Sequence, residues 1–156
     1  MNLAIFVLIA WIIITVYLLV PKKLNLNETI LLFFFYTIIT ITIFTIIDLN
    51  LKLIQHSNKT ESFISLWVHR NIIIPMSLII LVNLILTFTS KVKKYISIIL
   101  SFSVLYSIDL LAYWLGQKTY HGSNQYFASA ILDTTLILIA YVMMKLVKKL
   151  PEGEST

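Results

Sequence analysis

The chain alternates between long apolar runs and short polar segments. This pattern predicts an all-α integral membrane bundle, because about 20 apolar residues at 1.5 Å per residue cross the hydrocarbon core of a bilayer. Several runs are rich in β-branched residues, but an isolated strand could not satisfy its backbone in lipid, so helices are favoured. The five predicted transmembrane helices cover residues 3–20, 29–49, 72–89, 95–115 and 127–144.

The composition narrows the class of protein. Hydrophobic residues make up 59% of the chain and charged residues 12%, with a mean hydropathy of +0.92. Because soluble domains carry roughly a quarter charged residues, an ordinary soluble domain is excluded. The formal charge of +5 does not indicate nucleic-acid binding, since the lysines lie mostly beside the apolar runs. The chain has no cysteine, which excludes disulfides, thiol catalysis and cysteine metal sites.

The basic residues divide unequally between the two sides of the predicted bundle. Eight lysines share one side with the C-terminus: Lys22, Lys23, Lys91, Lys93, Lys94, Lys145, Lys148 and Lys149. The other side holds only four basic residues. Because cytoplasmic loops carry the excess of Lys and Arg, this bias predicts an N-terminus outside and a cytoplasmic C-terminus. Residues 1–150 form one predicted domain, and the polar tail 151–156 is predicted to be disordered in the cytoplasm.

Two spans each carry one acid, Asp109 and Asp133, on either side of a short polar loop. Each lies about seven residues from the loop, which predicts a common depth of about 10 Å below the outer end of the helices. Asp48, His69 and Arg70 are predicted near the same side. An ionisable group within a span costs at least about 2.5–3.5 kcal/mol on insertion scales. Each is therefore expected to face protein or water and to find a partner.

These residues define a candidate site in the outer half of the membrane. Its predicted members, for ligand binding or for structure, are Asp48, His69, Arg70, Asp109, Tyr113 and Asp133. In a structural interpretation, Arg70 bridges one or two aspartates. In a second, the cluster binds or translocates a cation, a proton or a small polar solute. In a third, Asp109 and Asp133 are the catalytic pair of an intramembrane aspartyl hydrolase.

The hydrolase interpretation ranks below the other two. Ile108 and Leu110, which flank Asp109, and the residues before Asp133 do not match the Asn- and Arg-containing motifs of the bacterial lipoprotein signal peptidase. No metal site is predicted, because no two histidines have metal-ligand spacing. No cofactor is predicted either.

A pattern in the second half of the chain resembles a known group. Its carrying residues are Ser65-Leu66-Trp67, Pro75, the basic turn Lys91 to Tyr95, Ser107-Ile108-Asp109, Tyr113-Trp114-Leu115-Gly116 and Tyr120-His121-Gly122-Ser123-Asn124. From Ser65 to Pro151 the chain resembles small polytopic membrane proteins, of unassigned activity, from endospore-forming low-GC Gram-positive bacteria. The resemblance implies an acid where Asp109 stands and a bacterial plasma membrane, but no activity.

The leading hypothesis is a non-enzymatic multi-pass membrane protein that binds a partner or a small ligand through the polar cluster. A small cation- or proton-coupled transporter component is the first alternative and the aspartyl hydrolase the second. The expected contacts are the lipid bilayer and either a membrane-protein partner or further copies of the chain. Nucleic acid is not expected.

Overall fold

The computed structural model describes residues 2–47, 54–56, 60–120 and 125–147, and this part of the chain is helical apart from short connections and two three-residue strands. The helices are α1 (Asn2–Leu19), α2 (Leu26–Thr45), α3 (Thr60–Val68), α4 (Ile74–Thr87), α5 (Lys91–Trp114) and α6 (Gln125–Val147). A π-helical turn, His69–Ile73, joins α3 to α4 into one span, Thr60–Thr87. Five described helices are thus long and apolar enough to cross a membrane, as predicted. Asp48 and the predicted tail 151–156 lie outside the described residues.

One end of the bundle, which we call the Trp114 end, gathers the start of α1, the start of α3 and the end of α5. The Asn2 side-chain amide donates to the Leu115 carbonyl at 3.0 Å, and the Leu3 N–H donates to Glu61 Oε1 at 3.3 Å. The two strands, β1 (Ile54–His56) and β2 (Lys118–Tyr120), pair antiparallel. They connect the segment after α2 to the segment after α5, which are therefore at the same end.

The opposite end, which we call the Lys91 end, is organised by Asn83 near the end of α4. The N–H groups of Lys23 and Leu24 both donate to Asn83 Oδ1, at 2.9 and 3.2 Å. The connection between α1 and α2 therefore docks against α4, where α5 also begins. Successive spans run in alternate directions, as five short-looped helices require.

The third span is the centre of the bundle and its most buried helix. Its α4 part packs against α1, α2, α5 and α6. Leu78, Ile79, Leu81 and Val82 of α4 are almost fully buried. The outward surface is also apolar, and Trp11 of α1, for example, is 65% exposed. Large exposed apolar surfaces of this kind mark contact with lipid or with other proteins.

All five spans begin earlier than the sequence predicts; α5, for example, starts at Lys91 rather than at residue 95. The second starts at Leu26 rather than near residue 29, because Asn25 and Glu28 form a capping box. The Glu28 N–H donates to Asn25 Oδ1 and the Asn25 N–H donates to Glu28 Oε2, each at 2.8 Å. This reciprocal pair satisfies two backbone donors that a helix start leaves open.

The third span begins at Thr60, twelve residues and about three helical turns before the predicted start at residue 72. On α3 the serines Ser62 and Ser65 are buried, whereas Phe63 and Trp67 are exposed. Polar residues thus face the bundle and aromatic residues face outward. Small hydroxyl residues allow close packing of membrane helices, and the Ser65 hydroxyl donates to the Glu61 carbonyl at 2.7 Å.

Candidate polar site between α1, the third span and α5

The π-helical turn that carries His69 has a local cause in Pro75. Proline has no N–H, and its ring crowds the carbonyl four residues earlier, here that of Asn71. The backbone widens, so that the Ile74 N–H donates to the His69 carbonyl five residues earlier. Pro75 lies in the first turn of α4, and the π turn before it keeps α3 and α4 in one continuous span.

His69 and Asp109 meet at the centre of the site. His69 Nε2 lies 3.7 Å from Asp109 Oδ1. This distance exceeds that of an ordinary hydrogen bond, so the contact becomes an ion pair when the imidazole is protonated. Only 1% of His69 and 2% of Asp109 are exposed. The structure therefore brings together two residues that the sequence predicted for the same cluster.

Apolar side chains surround this pair. The Phe6 ring of α1 meets the imidazole of His69 edge to face, with 5.8 Å between the ring centroids. Phe6 belongs to a buried apolar group with Ala10, Ile73, Ile108 and Ala112, together with Ile13 and Val68. Because both members of the pair are almost fully buried, a charge on either one interacts more strongly with the other than it would at a surface.

The side chain of Arg70 contacts a different helix from those that its neighbour His69 contacts. Its guanidinium carbon lies 4.2 Å from the centroid of the Phe44 ring on α2, a cation–π contact. Consecutive residues of an α-helix are rotated by about 100°, so His69 can face α1 and α5 while Arg70 faces α2. That Arg70 also bridges the aspartates stays a prediction.

Asp133 is also buried, with 3% of its surface exposed, on a face of α6 that includes Ser129, Leu132 and Leu136. Because α5 packs on α6, the two acids belong to neighbouring helices. Both acids are thus buried within the bundle. That Asp109 and Asp133 act together stays a prediction.

Tyr113 lies at the border of the site. Its ring meets that of Tyr126 edge to face, with 6.4 Å between centroids, and it is half-buried. The buried face of α5 runs through Ser97, Leu105, Ile108, Asp109 and Ala112.

Gln117 is a buried polar residue that the sequence did not single out. It follows Gly116, whose positive φ of 66° ends α5. The Gly116 N–H donates to the Tyr113 carbonyl at 2.9 Å and the Gln117 N–H donates to the Ala112 carbonyl at 3.1 Å, which is a Schellman motif. The Gln117 side chain is buried, and its amide has no hydrogen-bond partner among the described residues. In the sequence, Gly116 is a signal for the turn that ends α5. No pattern in the sequence indicates that the side chain of Gln117 is buried.

Within the described ranges, no group of three histidine or acidic side chains is arranged to hold a metal ion. No protein-family model, curated protein or solved structure matches the chain. What the site can do therefore follows from its own geometry: a titratable imidazole against a carboxylate, both in an apolar environment, with a second buried carboxylate on the next helix.

Proposed function

We propose that the protein is a non-enzymatic multi-pass protein of a bacterial plasma membrane that binds a small polar ligand through the cluster around His69 and Asp109. The membrane location is supported by five described helices, each of which is long and apolar enough to cross a bilayer. The eight-to-four division of basic residues supports an N-terminus outside and a cytoplasmic C-terminus. In this orientation the Trp114 end is the outer end. The resemblance to polytopic proteins of Gram-positive bacteria supports the bacterial membrane.

The contact between His69 and Asp109 carries the proposal. Because both side chains are nearly inaccessible, the ligand that fits best is the smallest: a proton or one small cation. Imidazole gains or loses a proton near neutral pH, and a neighbouring carboxylate stabilises the charged form. Asp133 adds a second carboxylate on the neighbouring helix, so the cluster favours positive charge.

The test is a thermal-unfolding screen of the purified protein in detergent. Sodium, potassium, ammonium and magnesium chlorides are each added at fixed ionic strength, and pH is varied separately. A bound cation at about 100 times its Kd stabilises by about 2.7 kcal/mol, which raises the Tm of a chain of this size by roughly 5–10 °C. We expect Asp109→Asn and Asp133→Asn to remove this response.

The matched control is Ser107→Ala, on the same helix as Asp109. Ser107 is exposed, and its hydroxyl donates only to the Ser103 carbonyl, at 2.7 Å. This variant should keep the wild-type response. If neither cations nor pH shift the Tm differently in wild type and Asp109→Asn, the ligand proposal is wrong.

The proposed topology has its own test. Single cysteines replace Lys23, Ser57, Lys93 and Gly122 in this cysteine-free chain, and intact cells are treated with a membrane-impermeant thiol reagent. Positions 57 and 122 should label from outside. Labelling of position 23 or 93 in intact cells would contradict the proposed orientation.

A component of a cation- or proton-coupled transporter is the second candidate function. The observation in its favour is the π turn at His69, since single π turns inside α-helices are frequent at functional sites. In proteoliposomes with an internal pH dye, it predicts proton uptake that Asp109→Asn abolishes. If the vesicles take up no protons, the transporter hypothesis is wrong and only ligand binding remains.

The aspartyl hydrolase needs Asp109 and Asp133 to share a proton. The contact of Asp109 with His69 supports binding instead. For partners, we propose the bilayer itself and contacts with copies of the chain or a second membrane protein along the exposed apolar faces.

A further inference from the structure

A cleft of about 590 Å³ opens on the side of the bundle near the Lys91 end. Its inner wall is apolar and comes from three helices: Ile85 of α4, Ile98 of α5 and Ile137 of α6. Leu138 lines it too and is largely exposed, so the cleft opens laterally. This volume falls within the roughly 300–1,000 Å³ of small-molecule sites.

The other lining residues give the cleft a charged end. Lys91 and Lys94, from the first turn of α5, lie along it together with Tyr95 and Tyr141. Lys145 adds a third cation, since its Nζ lies 4.8 Å from the centroid of the Tyr141 ring. The described lining contains no acidic residue.

The lysines are at an unfavourable position on their own helix. The N-terminus of a helix carries partial positive charge, and cations there are destabilising. Ser90, the N-cap of α5, makes no side-chain capping bond. An anion between Lys91 and Lys94 would neutralise the two cations and accept hydrogen bonds from the uncapped N–H groups at the start of α5. The excess of lysines on the cytoplasmic side does not explain this position, because it requires only that lysines lie somewhere at this end.

We propose that this cleft binds one anionic phospholipid of the bilayer, with the headgroup phosphate at Lys91 and Lys94 and an acyl chain along Ile98 and Ile137. The proposal rests on the membrane location proposed above. An apolar cleft that faces hydrocarbon is filled by acyl chains, and basic pockets between spans on the cytoplasmic side favour anionic headgroups. The charge and the groove together specify a lipid rather than a soluble anion.

The experiment measures lipid affinity by native mass spectrometry of the full chain released from detergent. Phosphatidylglycerol is compared with phosphatidylcholine of the same acyl chains, and we expect the anionic lipid to bind at least about tenfold more tightly. The double variant Lys91→Gln/Lys94→Gln should lose about 25-fold in affinity for phosphatidylglycerol, about fivefold for each lysine. The matched control, Lys22→Gln/Lys23→Gln, removes the same charge at the same end but outside the cleft. It should stay within about twofold of wild type.

A second variant tests the groove without changing charge. Ile98→Trp fills the apolar part and should weaken phosphatidylglycerol binding while both lysines remain. Glycerol phosphate, the headgroup without chains, should not compete. Equal losses in the two double variants, equal affinity for the two lipids, or competition by glycerol phosphate would each overturn the proposal. Asp109→Asn should keep the lipid affinity, so this proposal and the ligand proposal fail independently.

Discussion

Replacing Asn83 by alanine tests how the connection between α1 and α2 is held in place at the Lys91 end of the bundle. In the wild type, Asn83 Oδ1 accepts the N–H groups of Lys23 and Leu24, at 2.9 and 3.2 Å, and Asn83 is itself buried. Alanine leaves both donors without their acceptor. A buried polar group that loses its partner costs about 1–3 kcal/mol. Leu24 is buried and should bear the full cost, whereas Lys23 is exposed and its N–H can partly rehydrate. The expected loss is about 2–4 kcal/mol.

The assay is equilibrium unfolding in mixed micelles of a mild detergent and SDS, followed by circular dichroism. Asn71→Ala is the matched control, because it removes an asparagine from the same span. The Asn71 amide donates only to the Trp67 carbonyl one turn earlier, at 2.9 Å in an exposed position. The control should lose about 0.5 kcal/mol or less. Equal losses in the two variants would refute the claim that Asn83 anchors the connection between α1 and α2.

Two further predictions concern the C-terminal end of α5 and the buried pair of His69 and Asp109. Gly116→Ala should lower the free energy of unfolding by about 1 kcal/mol in the same assay, because alanine is strained at a φ of +66° although no atom lies within 4 Å of the added Cβ. Gly116→Asn should cost less, since asparagine tolerates this conformation better. An alanine variant as stable as the wild type would contradict this reasoning. A double-mutant cycle of His69→Ala and Asp109→Asn should give a coupling energy of about 0.5–3 kcal/mol, and strict additivity would show that the 3.7 Å contact contributes nothing.

The bundle itself is predictable from the sequence because the bilayer imposes simple demands. Each span must be long and apolar, and an acid within it must turn toward protein. Asp109 and Asp133 obey this rule, since both are buried on neighbouring helices. The equal distance of the two acids from their loop predicts a common depth, and this common depth stays a prediction.

The start of the third span was missed for a physical reason. The hydrophobic pattern of a soluble helix marks an apolar inner face, but in α3 the serines Ser62 and Ser65 are inside and Phe63 is outside. A stretch that packs partly through small hydroxyl residues therefore presents no apolar run from which a span could be predicted.

The contact of His69 with Asp109 could not be singled out from the sequence, which offers both His69 and Arg70 as neighbours of the acids. Both precede the predicted start of the span at residue 72 by similar distances, and the directions of their side chains depend on the helical phase. Pro75 shifts that phase, because the π turn before it inserts an extra residue into the turn. The rotation that sends His69 toward Asp109 and Arg70 toward Phe44 is therefore a property of the folded chain.

The most direct measurement is nitrogen-15 NMR of the histidine rings in the protein reconstituted in nanodiscs. The chain has three histidines, and His69→Gln assigns the signal of interest. The sample is titrated from about pH 8 to about pH 5, where imidazole changes charge, and separately with the cation that raises the Tm. We predict that the His69 signal responds to at least one titration, and that Asp109→Asn alters this response while Ser107→Ala does not. A His69 signal that stays constant in both titrations, or that responds identically in Asp109→Asn, would contradict a ligand site at this pair.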